Sequence, residues 1–155
     1  MELLAGLGTW PGAVLLQRNG TAYLLVNASH ILGLALLIGA ILPLDLRLLG
    51  LFRSVPVAAL APVLSRMAGI GLGLALVTGA WLFTVRPVEY ARNAAFLWKL
   101  GLLALALANI ALQHRSAAYT RALAGEITAA VRWRSAVSLT LWLAVLLAGR
   151  WIGFL

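Results

Sequence analysis

The sequence predicts an all-α fold, a polytopic membrane protein built as a four-transmembrane-helix bundle with short interfacial helices. Three observations predict it. Four apolar stretches, about 23–42, 67–85, 94–112 and 135–149, approach the roughly 20 residues that a helix needs to cross a hydrocarbon layer about 30 Å thick. Hydrophobic residues make up 63% of the chain against 10% charged, with a mean hydropathy of +1.01, far above that of a soluble domain. The arginines flank the apolar stretches, where they anchor to headgroups and set topology. With 155 residues and four spans, the chain reads as one transmembrane domain over residues 1–155.

The elements follow in order. Met1–Gly8 has Glu2 and no basic residue ahead of its apolar run, so no cleavable signal is read there. Residues about 3–17 are expected along the interface, broken by Trp10 and Pro11, with Gln17-Arg18-Asn19-Gly20 as a polar turn. The first span runs into Pro43. Residues about 44–53, apolar but for Asp45, Arg47 and Arg53, read as a short interfacial helix, and Pro56 and Pro62 then introduce the second span. That span carries Gly69, Gly71, Gly73 and Gly79 with Ala75 and Thr78, and Gly69 and Gly73, one turn apart, are expected to bring helices close. Arg115–Arg134 reads either as an amphipathic surface helix or as a continuation of the third span. Trp10, Trp81, Trp98, Trp133 and Trp151 fall near span ends as interfacial anchors, and Trp142 falls well inside.

Charge and composition exclude several functions. In a soluble chain the net charge of +8 would point to nucleic acid; beside apolar spans it points to the lipid bilayer as partner, and no nucleic acid is expected. Arg47, Arg53, Arg66, Arg115, Arg121, Arg132 and Arg134 lie in the two connections of one side, and Arg18, Arg86, Arg92 and Arg150 on the other. The positive-inside bias therefore places both termini outside. Alanine abundance and the preference for arginine over lysine suggest a bacterial source, hence a bacterial inner membrane. The absence of cysteine removes disulfides, thiolate metal sites and thiol catalysis. No triad, paired carboxylates, phosphate-cradling loop or zinc signature is present, so an enzyme is not the expectation.

The polar residues inside the spans mark the candidate site. Tyr23, Asn27 and His30 fall at helical positions 0, 4 and 7, within one stripe that faces protein. Lys99, Asn109 and His114 are the polar members of the third span, and a lysine there costs on the order of 3 kcal/mol unless it snorkels or pairs. Counted at 1.5 Å per residue, His30 lies about 10 Å deep, Lys99 about 8 Å and His114 about 30 Å. His30 and His114 therefore cannot hold one haem between them in a single chain, whereas His30 and Lys99 share a level in the outer leaflet. Asp45 and Arg47, two residues apart, do not share a helical face, and each is expected to reach a neighbouring helix end.

Three uses of the outer site stay open. His30 ligates a haem b, with Lys99 on its propionates and the second axial ligand open or supplied by His30 of a homodimer partner, in a haem- or quinone-linked redox component. Alternatively, Tyr23, Asn27, His30 and Lys99 form the vestibule of a small-solute, ion or metal permease that continues through Asn109, Asp45 and His114. In the third, the stripe hydrogen-bonds a structural or assembly subunit of a larger membrane complex.

The runs NASHILGLALLIGA and DLRLLG, the glycine of LVTGAWLF, and FLWKL leading through Asn109 to QHR resemble a family of uncharacterised bacterial four-helix membrane proteins over roughly residues 20 to 115. The resemblance marks His30, Asp45, Arg47, Gly50, Gly79, Lys99, Asn109 and His114. In outline the chain is also similar to b-type cytochromes and to the copper-resistance D membrane proteins. It departs from the first in the depths of its histidines and from the second in having only Met1 and Met67.

Overall fold

A computed structural model describes residues 2–152. Among the described residues eight helices follow one another: α1 (Glu2–Leu7), α2 (Pro11–Arg18), α3 (Gly20–Leu49), α4 (Val57–Phe83), α5 (Pro87–Arg92), α6 (Ala94–His114), α7 (Ala117–Leu123) and α8 (Ala129–Trp151). No strand occurs among the described residues. Helices α3, α4, α6 and α8 are long and apolar enough to cross a membrane, which makes the chain a multi-pass membrane protein with a four-helix bundle.

Local signals set the helix starts. Asn19 accepts from the Ala22 amide at 3.1 Å, Asn93 from Phe96 at 3.2 Å, Ser116 from Tyr119 at 3.2 Å and Thr128 from Val131 at 3.5 Å, each satisfying an amide that the first turn leaves unpaired. The start of the chain forms two short helices, α1 and α2, separated at Trp10-Pro11. Gln17 Nε2 donates to the carbonyls of Gly8 at 3.0 Å and Val85 at 3.1 Å, and Trp81 Nε1 donates to Gly12 at 3.0 Å. Trp81 thus holds α2 against the end of α4.

Three expectations are corrected. No separate interfacial helix covers residues 44–53, because α3 passes through Pro43 and ends at Gly50, whose φ of 112° is open to glycine. Proline removes one helix donor, but in an apolar bundle unwinding would expose further backbone groups, so the helix continues. Leu44 and Leu48 are consequently core residues, packed with Val57, Ala61, Tyr119, Ala122 and Val131. The second span is longer than expected, beginning at Val57 with Pro62 inside its first turns.

The third correction concerns the glycines. A Cβ at Gly69 or Gly73 would meet open space, whereas one at Gly71 would lie 2.5 Å from the Leu37 amide nitrogen and 2.7 Å from the Gly33 carbonyl. Gly33 is equally confined, 2.7 Å from the Ala75 amide nitrogen. The close crossing of α3 and α4 therefore rests on Gly33 and Gly71.

Helix α3 packs most extensively on α4, α6 on α8, and α3 also touches α8, while α4 and α6 make little direct contact. Leu37, Ile41, Ala106 and the fully buried Trp142 fill the centre. We call the end holding α1, α2 and α5 the terminal end and the arginine-rich opposite end the basic end.

Candidate functional site

The structure places the sequence-marked polar residues in two groups along the bundle axis. At the terminal end Tyr23, Asn27, His30 and Lys99 line one chamber with Gly79, Phe83, Tyr90 and Phe96. Burial pushes the Tyr90 phenol above its ordinary range, reinforced by Tyr23 and Glu89, so it remains a neutral O–H group. His30, Gly79, Phe83, Phe96 and Lys99 also line a second, apolar cavity of about 360 Å³ that continues inward to Trp142. At the basic end Asp45, Asn109 and His114 line a third cavity of about 220 Å³ with Gln113, Arg134 and Ser138. Leu37 and Leu72 border both inner cavities, an apolar level between the two polar groups.

Thr78 fixes the His30 tautomer. Its Nδ1 lies 3.1 Å from Thr78 Oγ1, and the Thr78 hydroxyl already gives its single hydrogen to the Leu74 carbonyl at 2.6 Å. Thr78 Oγ1 therefore accepts from Nδ1–H. A neutral imidazole so held carries its free lone pair on Nε2. Gly79 makes room for the ring, since a Cβ there would stand 3.0 Å from His30 Cε1.

Lys99 is directed inward. Its Cε and Nζ pass 3.5 Å from the point where a Gly149 Cβ would stand, between α6 and α8, and its side chain borders both terminal-end cavities. Phe83 and Phe96 stack at 5.4 Å, and Tyr90 lies 5.8 Å from Phe96, forming an aromatic rim. Leu76 and Leu100 line the apolar cavity yet are 46% and 44% exposed on the bundle's outside, so the cavity reaches the lipid side where α4 and α6 stand apart.

Residues 12–155 match the model of a family of unknown function, DUF6644. The chain belongs to the DUF6644 family. No curated protein and no solved structure matches it. In this DUF6644 member, His30 and His114 occupy different cavities, and no group of three His, Cys, Asp or Glu side chains able to hold a metal ion occurs among the described residues.

The remaining marked residues hold helices together. Arg47 is buried and donates from Nε to the Val55 carbonyl at 2.6 Å, while Arg53 Nε donates to Gly50 at 2.9 Å, so the arginines clamp the α3–α4 connection. Asp45 turns the other way, onto the Ser138 hydroxyl of α8. Asn109 Nδ2 donates to the Arg134 carbonyl at 3.1 Å, tying α6 to α8, and His114 Nδ1 lies 3.0 Å from the Ile110 carbonyl at an exposed position. Thr78 and Gln113 were not singled out as site residues by sequence: threonine and glutamine at these positions look like ordinary helix polar residues until their partners across the bundle are known.

Proposed function

We propose that this DUF6644 protein is a quinone-linked membrane redox component, holding a quinone-class carrier in the chamber between His30 and Lys99. The observation that carries the reading is the assigned His30 tautomer, whose Nε2 lone pair shares an apolar, lipid-reaching cavity with an inward lysine. In the quinol form a hydroxyl would donate to Nε2, and in the quinone form a carbonyl would accept from the Lys99 ammonium. The flat apolar body suits the space between Leu34, Leu76, Leu100 and Leu103, and entry between α4 and α6 keeps an apolar tail in lipid. We prefer a binding site to a solute permease because Leu37 and Leu72 make the level between the cavities apolar, and a conduit for polar solutes would need polar groups across it.

A second reading, the haem b site with its outline likeness to b-type cytochromes, rests on the same lone pair. An axial histidine characteristically gives its other ring N–H to a fixed acceptor, as His30 does to Thr78. His30 is the one imidazole lining the chamber, so His30 of a second copy at the same depth would supply the opposite ligand in a homodimer. The arginine asymmetry supports a bacterial inner-membrane setting with both termini outside and this chamber in the outer leaflet.

The deciding experiment is equilibrium binding of a short-tailed benzoquinone analogue to the full chain in mild detergent, with an oxidised-minus-reduced spectrum of the same sample. We expect saturable binding that weakens by about tenfold or more in His30→Ala and Lys99→Met. Absence of binding, or equal binding by both variants, overturns the quinone reading. A Soret band lost in His30→Ala replaces it with the haem reading.

A further inference from the structure

The basic-end cavity holds two buried oxygen acceptors that nothing in the fold satisfies. Asp45 is 6% exposed and Gln113 is 7% exposed, yet Asp45 Oδ2 and Gln113 Oε1 are both without a hydrogen-bond partner, and both residues line the same space of about 220 Å³. The Asp45 carboxylate meets the Ser138 hydroxyl, and Gln113 Nε2 donates to Ser135 Oγ at 3.4 Å, which orients the amide oxygen away from that bond. Leaving a buried acceptor unpaired costs roughly 1–3 kcal/mol, more for a charged group, so a pair of them on two residues that line one cavity points to an occupant that supplies positive charge.

We propose that Asp45 and Gln113 form a site for a small monovalent alkali cation, sodium being the probe. The ligand atoms are a carboxylate oxygen and an amide oxygen, in a lining that also holds Ser138 of α8, an all-oxygen set of the kind hard cations take. A single carboxylate matches a single positive charge. Asp45 stands near the C-terminus of α3 and Gln113 near that of α6, so the negative ends of two long helices converge on the same cavity and favour a cation there. Arg134 of the lining does not fill this role: its Nη1 donates to the exposed Leu112 carbonyl at 3.3 Å. The site lies toward the other end of the bundle from the His30 chamber, on the far side of the Leu37–Leu72 level.

The test is equilibrium binding of radioactive sodium to the full chain in detergent, against N-methylglucamine chloride at constant ionic strength, with thermal unfolding measured in both salts. The parent is expected to bind sodium saturably and to unfold at higher temperature in it. Asp45→Asn is expected to lose about tenfold or more in affinity together with the thermal shift, and Gln113→Met several-fold. Unsaturable binding by the parent, or unchanged binding by Asp45→Asn, overturns the site. So does a pH response that depends on Asp45 without any response to sodium, which would make the carboxyl a proton holder. Should Asp45→Asn not fold, Gln113→Met decides: weakened sodium binding supports the site and unchanged binding overturns it. Quinone-analogue binding measured on the same variants is expected to be unaffected, which keeps the two sites' outcomes distinct.

Discussion

His30 on α3 and Thr78 on α4 are joined by a 3.1 Å hydrogen bond in which the threonine hydroxyl, committed to Leu74, can only accept. One side chain on the second span thereby chooses the nitrogen that the first span presents to the chamber. Thr78→Val keeps the shape and removes the acceptor, freeing the ring to exchange tautomers. We expect analogue binding to fall several-fold and thermal stability to drop by the equivalent of about 1–2 kcal/mol, with Thr78→Ser restoring both. Unchanged binding in Thr78→Val would separate the tautomer from function.

The α3–α4 crossing predicts a sharp contrast among glycines of one helix. Gly71→Ala forces a methyl within 2.5 Å of the Leu37 backbone nitrogen, where no flexible atom can yield. We expect it, and Gly33→Ala, to destabilise by about 1–3 kcal/mol in detergent unfolding. Gly69→Ala and Gly73→Ala, whose new methyls meet nothing within 4 Å, are expected to leave stability unchanged or slightly raised. Equal loss in all four would place the crossing elsewhere.

Two further glycines test the chamber. Gly79→Ala sets a methyl 3.0 Å from His30 Cε1, so the ring must shift away and Nε2 with it. Gly149→Ala sets one 3.5 Å from Lys99 Cε and Nζ, an ordinary contact. Analogue affinity is expected to fall several-fold in the first and to hold in the second, with both proteins monodisperse. The reverse ranking would mean that the ligand depends on the lysine side alone.

The sequence carried the four spans because burial in lipid demands long apolar helices whatever their partners. It also carried the shared level of His30 and Lys99, since rise per residue converts position into depth. Partner choice was not legible. Helical spacing marked Gly69 and Gly73 as readily as Gly71, and only the crossing point of α3 and α4 separates them. Pro43 read as a terminus because proline ends helices in water, whereas here α3 continues into the core formed by Leu44 and Leu48. Thr78 and Gln113 acquire meaning from His30 and from the basic-end cavity, both reached across the bundle rather than along one helix.

Arg47 offers a test of the connection that follows α3. Its buried guanidinium donates to the Val55 carbonyl at 2.6 Å and reaches Arg53 O at 3.5 Å. Arg47→Met removes these donors and is expected to cost about 1–3 kcal/mol, with faster proteolytic cleavage within residues 50–56. Arg47→Lys is expected to rescue only partly, because an ammonium cannot reproduce the spread of guanidinium donors. Cleavage no faster than in the parent would show that the loop is held without the arginine.

Orientation is tested most directly by cysteine labelling, because the chain has no cysteine of its own and each introduced thiol is read without background. Arg92 is exposed at the terminal end and Ser54 is exposed in the basic-end connection between α3 and α4. The proposed orientation, with seven arginines at the basic end against four at the other, puts the basic end in the cytoplasm. In intact bacterial cells, a membrane-impermeant maleimide is expected to label Arg92→Cys at once and Ser54→Cys only after lysis. Arg92→Cys itself removes one terminal-end charge and so reinforces the expected orientation, which makes Thr21→Cys the neutral control at the same end. Labelling of Ser54→Cys before lysis would invert the topology, moving the His30 chamber to the inner leaflet and the Asp45 cavity to the outer one.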